Sequence, residues 1–90
     1  MATVFSDQTI ELILKLNFDQ TNATVRRIYY KDPQDSTGYW DAYEKSAKAI
    51  YCNITPDVVG TWRFWAYIEI NSNKYIGETA KQKVYAAGDD

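Results

Sequence analysis

Histidine is absent from this chain. The side chain that most often serves as a general base near neutral pH is therefore missing, and histidine-containing triads and metal sites are excluded. Cysteine occurs once, as Cys52, so the chain cannot form an intramolecular disulfide or a zinc site built from several cysteines. We interpret Cys52 as a small buried hydrophobic residue, and we predict no cofactor and no metal.

Glycine and proline are scarce, with four and two residues. The glycines are isolated from one another, so the sequence contains no glycine-rich phosphate loop. Its longest apolar run spans only a few residues, which predicts no membrane-spanning segment and no membrane partner. The first residues lack the basic and apolar regions of a signal peptide, so we expect assembly in a cytoplasm and no secretion by a signal peptide.

The charges nearly balance, since twelve acidic and ten basic residues give a formal net charge of −2. The basic residues are scattered along the sequence, apart from the adjacent Arg26 and Arg27. A general nucleic-acid binder needs a basic footprint, so we predict no nucleic-acid partner. A glycosidase uses a pair of carboxylates, and the sequence offers such pairs, but we interpret these acidic residues as solvated charges of loops and strand edges.

Aromatic residues are plentiful, at 16% of the chain. In the segment 60–70 they alternate with a two-residue period, which indicates a β-strand with one buried face. The residues predicted to point inward are Trp62, Phe64, Ala66, Ile68 and Ile70. The residues predicted to point outward are Arg63, Trp65, Tyr67 and Glu69.

The same period predicts further strands at 10–18, 25–31, 39–44, 49–54 and 75–85, with Ile76 and Val84 in the core. Residues 2–6 are predicted as a short edge strand or a tail. Turns are predicted at 32–38, where Gly38 would permit a left-handed backbone, at 45–46 and at 71–74. Good helix formers at 40–50 leave a helix open as an alternative, but similar spacing on both sides favours two strands. Six or seven strands predict an all-β sandwich or barrel in one domain, residues 1–90, with 1–8 and 86–90 as candidate flexible tails.

A family resemblance follows from several of these segments. The run from Asp57 to Phe64 resembles the penultimate-strand signature of immunoglobulin folds, with Trp62 in the aromatic place and Phe64 in the place of the usual cysteine. A closer resemblance rests on ordered motifs across residues 10–85. These motifs are Tyr30-Lys31-Asp32-Pro33, Gly38-Tyr39-Trp40-Asp41-Ala42, Gly60-Thr61-Trp62, Ala66-Tyr67-Ile68 and Gly77-Glu78-Thr79. Together they resemble small immunoglobulin-like proteins of tailed bacteriophages and prophages.

This resemblance implies a single immunoglobulin-like antiparallel β-sandwich of six to seven strands, located in the virion. Proteins of this kind are capsid decorations, head or tail accessories, or domains that attach larger structures to a baseplate. We therefore expect a non-enzymatic structural or attachment protein that docks other virion proteins and further copies of itself. A small enzyme remains a distant alternative.

The outward aromatics exceed what one small core needs, and tyrosine and tryptophan favour interfaces because they combine a large apolar area with a polar tip. The predicted docking face consists of Trp65, Tyr67, Tyr29, Tyr51 and Tyr75. A carbohydrate-binding module that adsorbs to a cell-surface glycan is the main alternative, because sugar rings also stack on aromatic platforms.

Overall fold

The computed structural model of the chain describes residues 3–87. The outermost parts of the two candidate tails, residues 1–2 and 88–90, lie outside the described residues. Across residues 3–87 the chain forms nine β-strands and no helix. The helical alternative for 40–50 is therefore wrong, and this segment forms strands.

The strands follow one another with short connections. In chain order they are β1 (Val4–Phe5), β2 (Ile10–Lys15), β3 (Val25–Lys31), β4 (Thr37–Asp41), β5 (Tyr43–Ser46), β6 (Ala49–Ile54), β7 (Gly60–Ile70), β8 (Asn73–Ile76) and β9 (Ala80–Tyr85).

The strands form two sheets. The larger sheet has the order β1-β9-β7-β3-β4, with β8 also paired to β7, and the smaller sheet has the order β2-β6-β5. All pairs are antiparallel except β1 with β9. This division of strands between two facing sheets is that of an immunoglobulin-like β-sandwich, so the predicted fold class is confirmed.

The core lies between the sheets. The inner face of β7 supplies Trp62, Phe64, Ala66 and Ile68, all of them buried, as the alternation predicted. Ile28 of β3 lies beside them, and Ile50 of β6 belongs to the smaller sheet; both are fully buried. The core therefore includes side chains from both sheets, because period-two segments on each side place apolar residues inward.

The chain changes sheets at Ala42, between β4 and β5. The Ala42 N–H donates a 3.0 Å hydrogen bond to the carbonyl oxygen of Arg26, and its small side chain is buried. The prediction of one strand at 39–44 is therefore wrong. The turn predicted at 45–46 instead lies at 47–48, after β5 has paired with β6.

The last predicted strand, 75–85, is interrupted by residues 77–79, and β8 and β9 pair with different halves of β7. Between the pairs Phe64–Ala80 and Tyr67–Ile76, two residues of β7 face three residues of the partner segment. Because of this bulge, residues of β8 point to the opposite face of the sheet from the one that continuous alternation with β9 would give them. Val84 is buried as predicted, whereas Ile76 is 67% exposed on the outer face, so its assignment to the core was wrong.

Two turns show how local chemistry connects the strands. In the β3–β4 turn the left-handed residue is Asp35, with φ of 66°, and not Gly38 as predicted. Gly38 instead leaves room for the Tyr30 ring, because a Cβ there would lie 2.6 Å from the hydroxyl oxygen of Tyr30. In the β7–β8 hairpin, Asn71 and Ser72 have φ of 51° and 67°, as a type I′ turn requires. The predicted hairpin turn is therefore present, but it spans 71–72 and not 71–74, because Asn73 and Lys74 already belong to β8.

Two further strand assignments complete the comparison. The two residues of β1 lie inside the segment 1–8 and pair with β9, so this part of the candidate tail belongs to the sheet. The total of nine strands exceeds the predicted six to seven because 39–44 and 75–85 are each divided and because β1 is paired.

Candidate functional site

The outer face of the larger sheet carries a contiguous group of aromatic side chains, which we call the aromatic face. Its members are Tyr29, Tyr39, Trp65 and Tyr67, together with Arg27. Tyr29 of β3 lies directly opposite both Tyr39 of β4 and Trp65 of β7. In the adjacent row, Arg27 lies opposite Tyr67. The group forms because directly opposite residues of paired strands share one face of a sheet.

The rings of the aromatic face contact one another. The Tyr29 ring lies 5.3 Å from that of Tyr39 and 6.1 Å from that of Trp65, between ring centroids, and it is nearly parallel to Trp65 at 14°. Tyr67 meets Tyr29 edge to face, with centroids 5.6 Å apart. These separations are typical of favourable aromatic pairs. The rings therefore form one packed cluster on the sheet.

Arg27 lies within this cluster. Its guanidinium carbon is 4.6 Å from the Tyr39 ring centroid and 5.9 Å from that of Tyr67, a cation–π arrangement. Its Nε is shielded from solvent and has no hydrogen-bond partner among residues 3–87. A polar interaction with the Tyr29 side chain is the main cause that raises the pKa of Arg27, and partial desolvation opposes it. Arg27 is thus a permanent cation inside an aromatic setting.

Tyr67 is neutral and oriented. Its hydroxyl donates a 2.6 Å hydrogen bond to a carboxylate oxygen of Glu69, two residues along the same face. This hydrogen bond is the main cause that raises the pKa of the Tyr67 hydroxyl, with burial second. The phenol therefore keeps its proton at physiological pH and fixes the carboxylate beside it.

Two of the five residues predicted for the docking face lie elsewhere. Tyr51 is on the outer face of the smaller sheet, directly opposite Ile13 and Tyr43, with 5.9 Å between the Tyr43 and Tyr51 ring centroids. Tyr75 of β8 lies opposite Ile68, which points into the core. The structure thus brings together Tyr29, Trp65 and Tyr67 from the predicted set, and it separates Tyr51 and Tyr75 from them.

The ring of Tyr75 contacts Phe18, with 5.3 Å between centroids. Its neighbour Ile76 lies opposite Tyr67 and extends the apolar part of the aromatic face toward β8. Neither Tyr39 nor Arg27 was among the residues predicted for the docking face. The signal for Arg27 was the two-residue period, which places it on the same face of β3 as Tyr29. The signal for Tyr39 was the register of the β3–β4 hairpin, which places it opposite Tyr29.

Two other side chains that could take part in chemistry are either buried or hydrogen-bonded. Cys52 is 3% exposed, and burial raises the pKa of its thiol to about 11. It is therefore a thiol and not a reactive thiolate near neutral pH. The Asp32 carboxylate accepts hydrogen bonds of 2.9 Å from the backbone N–H groups of Gln34 and Ser36, so it shapes the β3–β4 turn.

A small cleft opens where β2 ends beside the β8–β9 interruption. Its volume is about 220 Å³, below the range of roughly 300–1,000 Å³ typical of small-molecule sites. The lining residues are Lys15, Leu16, Asn17, Gly77 and Glu78. Within residues 3–87, acidic and cysteine side chains are not grouped in threes or more at a position that could hold a metal ion.

In the described part of the chain, the structure contains no helix with the length and hydropathy needed to cross a membrane.

Comparison with known proteins gives information on the fold of this chain alone. No family model and no curated protein matches this sequence. The crystal structure of a putative glycoside hydrolase from Bacteroides vulgatus is similar, with a TM-score of 0.65 and 16% sequence identity. The similarity covers 99% of this chain and 17% of that protein's chain. The whole sandwich therefore shares its fold with one segment of a much longer protein.

Proposed function

We propose that this chain is a non-enzymatic docking module that binds another protein through the aromatic face. The observation that carries the proposal is the contiguous cluster of Tyr29, Tyr39, Trp65 and Tyr67 around Arg27 on the surface. Tyrosine, tryptophan and arginine are the residue types most enriched where truncation weakens protein interfaces. Such residues dominate binding when they cluster at the centre of a contact.

The position of the cluster supports this use. Trp65 and Tyr67 lie on β7, and Tyr29 lies on β3, which are interior strands of the larger sheet. Interior strands hold their side chains more rigidly than loops, so little conformational freedom is lost on binding. The molecule measures 45 × 24 × 18 Å along its principal axes. Its broad face can supply the roughly 800 Å² per partner of a standard interface.

We further propose that the partner is a virion protein of a tailed phage, in the capsid, tail or baseplate, or another copy of this chain. The ordered motifs across residues 10–85 support this setting. A virion presents many copies of each protein, so contacts that are individually weak can add through avidity. The chain would serve as a decoration or accessory piece of the head or tail.

A carbohydrate-binding role is the second candidate. The aromatic side chains on the surface favour it, as does the fold shared with a segment of a putative glycoside hydrolase. The packing of the cluster opposes it. Sugar rings stack on open aromatic faces, whereas Tyr29 lies between Tyr39 and Trp65, and Arg27 lies over Tyr39. The geometry therefore favours contact with a protein over stacking on a glycan.

The double variant Trp65→Ala/Tyr67→Ala tests the proposal. The wild-type chain and the variant would each be co-expressed with the proteins encoded beside it, and association would be measured by co-purification and then by titration. We expect affinity to fall by about a hundredfold, the effect of losing hot-spot side chains. The fold should be unchanged by circular dichroism.

The matched control is Tyr43→Ala/Tyr51→Ala, which removes an aromatic pair from the outer face of the smaller sheet. It should associate like the wild type. Equal losses in both double variants, or undiminished association of Trp65→Ala/Tyr67→Ala, would remove the aromatic face from the proposal. A glycan array on the wild-type chain tests the second candidate, which requires hits that Trp65→Ala/Tyr67→Ala abolishes.

A further inference from the structure

Three cations lie in one row across the larger sheet, on the same face as the aromatic cluster. Lys31 of β3 is directly opposite Arg63 of β7, and Arg63 is directly opposite Lys81 of β9. We call these three residues the cationic row. Directly opposite side chains lie close together, with Cβ atoms about 4.5–5.5 Å apart, and like charges at such positions destabilise a sheet. The row therefore costs the isolated chain stability.

The whole outer face of the larger sheet is cationic. The register places six of the ten basic residues there, against two carboxylates, a formal excess of four positive charges. The basic residues are Arg27, Lys31, Arg63, Lys74, Lys81 and Lys83, and the carboxylates are Asp41 and Glu69. The rest of the sequence has four basic and ten acidic residues, so the net charge of −2 conceals a positive face.

These cations are weakly compensated within the described chain. Among residues 3–87, Lys31 is the one member of the six with a carboxylate within 4.0 Å, through an exposed 3.6 Å contact with Asp35. Glu69 accepts the hydrogen bond of Tyr67. Arg63 and Lys81 are exposed and face each other, and neither has a carboxylate of residues 3–87 within 4.0 Å. An anion above the row would relieve the repulsion between them.

We infer that the partner of this face presents an acidic segment of a protein, whose carboxylates pair with the cationic row and whose apolar side chains cover the aromatic face. The inference rests on the proposed function and adds the chemistry of the partner. The two surfaces are neighbours, because Lys31 and Arg63 each lie two residues along the strand from Tyr29 and Trp65. One bound segment can therefore reach both.

The arrangement of the rings selects a protein over a nucleic acid or an anionic polysaccharide. Bases stack on open aromatic faces, and sugar rings bind in the same way. Here Tyr29 lies between Tyr39 and Trp65, so its ring is flanked on both sides. The Arg27 guanidinium lies over Tyr39. The Tyr29 ring is therefore not open for stacking, and the remaining aromatic side chains beside the cationic row suit the mixed carboxylate and apolar surface of a polypeptide.

The first test measures binding of the intact chain to three anionic probes at low salt: a glutamate–tyrosine copolymer, heparin and a thymidine oligonucleotide. We expect the copolymer to bind most tightly, with affinity that falls as salt rises. In the variant Arg63→Gln/Lys81→Gln this affinity should fall about tenfold, because the central charges of the row are removed.

The matched control is Lys15→Gln/Lys48→Gln, which removes the same total charge from outside this face and should bind the copolymer like the wild type. Equal weakening in the control would show an effect of net charge alone and would overturn the inference. Tighter binding of heparin or of the oligonucleotide would assign another class of partner. Failure of the wild type to bind the copolymer at low salt would also reject the acidic segment.

The second test separates this inference from the proposed function and uses the natural partner once it is identified. Loss of association in both Trp65→Ala/Tyr67→Ala and Arg63→Gln/Lys81→Gln supports an acidic partner on the combined surface. Loss in the aromatic variant alone leaves the docking function standing and overturns the acidic segment. Undiminished association in the aromatic variant contradicts the docking function itself.

Discussion

The indole nitrogen of Trp62 donates a 2.8 Å hydrogen bond to the carbonyl oxygen of Val58, four residues earlier in the chain. This bond attaches the segment before β7 to the central strand and satisfies the one polar group of a buried indole. The aromatic lattice around it includes Tyr30 and Trp40, with 4.5 Å between their ring centroids. Trp62 thus joins the connection into β7 to the core.

Replacing Trp62 by phenylalanine keeps an aromatic side chain but leaves the Val58 carbonyl without its partner and leaves space in the core. We expect Trp62→Phe to lower the free energy of unfolding by about 1–3 kcal/mol. The measurement is chemical denaturation followed by circular dichroism. Trp65→Phe, on the outer face, is the control and should cost about 0.5 kcal/mol or less. A larger loss at Trp65 than at Trp62 would contradict this assignment of the core.

Gly60 begins β7 in a conformation that other residues rarely adopt, with φ of 133°. A Cβ at this position would also lie 2.7 Å from Pro33 in the β3–β4 turn. We expect Gly60→Ala to lower the free energy of unfolding by about 2 kcal/mol or more, since backbone strain and steric overlap act together. Thermal denaturation provides the measurement.

Gly77→Ala is the matched control for that substitution. Its added Cβ would lie 3.3 Å from the Ala66 Cβ, a tight contact that small movements can relieve. A smaller loss is therefore expected at Gly77. If Gly77→Ala proves the more destabilising of the two, the conformation at Gly60 does not limit the fold.

Cys52 gives the stability of the fold a defined pH dependence. Burial raises the pKa of its thiol from 9.0 to about 11. Because the unfolded chain releases this proton at the lower pH, the stabilisation is fully present below pH 9 and is lost as the pH rises to about 11. We expect a loss on the order of 2 kcal/mol across that window.

The measurement is urea denaturation at a series of pH values, for the wild type and for Cys52→Ala. Tyrosine and lysine titrations affect both proteins, so the informative quantity is the difference between their unfolding free energies. This difference should be constant below pH 9 and should then shift against the wild type up to about pH 11. Parallel curves throughout the series would show that the thiol does not control this loss.

The alternation within 60–70 was sufficient to predict β7 and both of its faces, because period two is a local property of one strand. The same reasoning placed Tyr29 on the outer face of β3 correctly. It failed at Ile76, because the bulge opposite β7 moves Ile76 from the inner to the outer face of the sheet. Gly77 is the one weak local sign of that bulge in the sequence. Periodicity describes a strand until its register changes.

The candidate site was less predictable than the fold. Tyr51 and Tyr75 match the other predicted members in residue type, and only strand order and register show that they lie on different surfaces. The cationic row had no sequence signal at all, because Lys31, Arg63 and Lys81 are far apart in the chain. Charged residues that are scattered in the sequence can therefore form a cluster on a sheet, because strand pairing determines which side chains are neighbours.

Arg63 is the centre of the cationic row, so its removal should stabilise the isolated chain. We expect Arg63→Gln to raise the free energy of unfolding by a few tenths of a kcal/mol at low salt, because the variant relieves repulsion from Lys31 and Lys81. High salt screens this repulsion, so the difference from the wild type should shrink as salt is added. Differential scanning calorimetry at several salt concentrations measures both effects.

Arg26→Gln is the arginine control, and it should behave in the opposite way. Arg26 donates hydrogen bonds to the side-chain and backbone oxygens of the buried Gln20, so its loss should destabilise the fold at every salt concentration. If Arg63→Gln is destabilising at low salt, the three cations do not repel one another in the folded chain. The inference of an acidic partner would then lose one of its supports, which is the repulsion that such a partner would relieve.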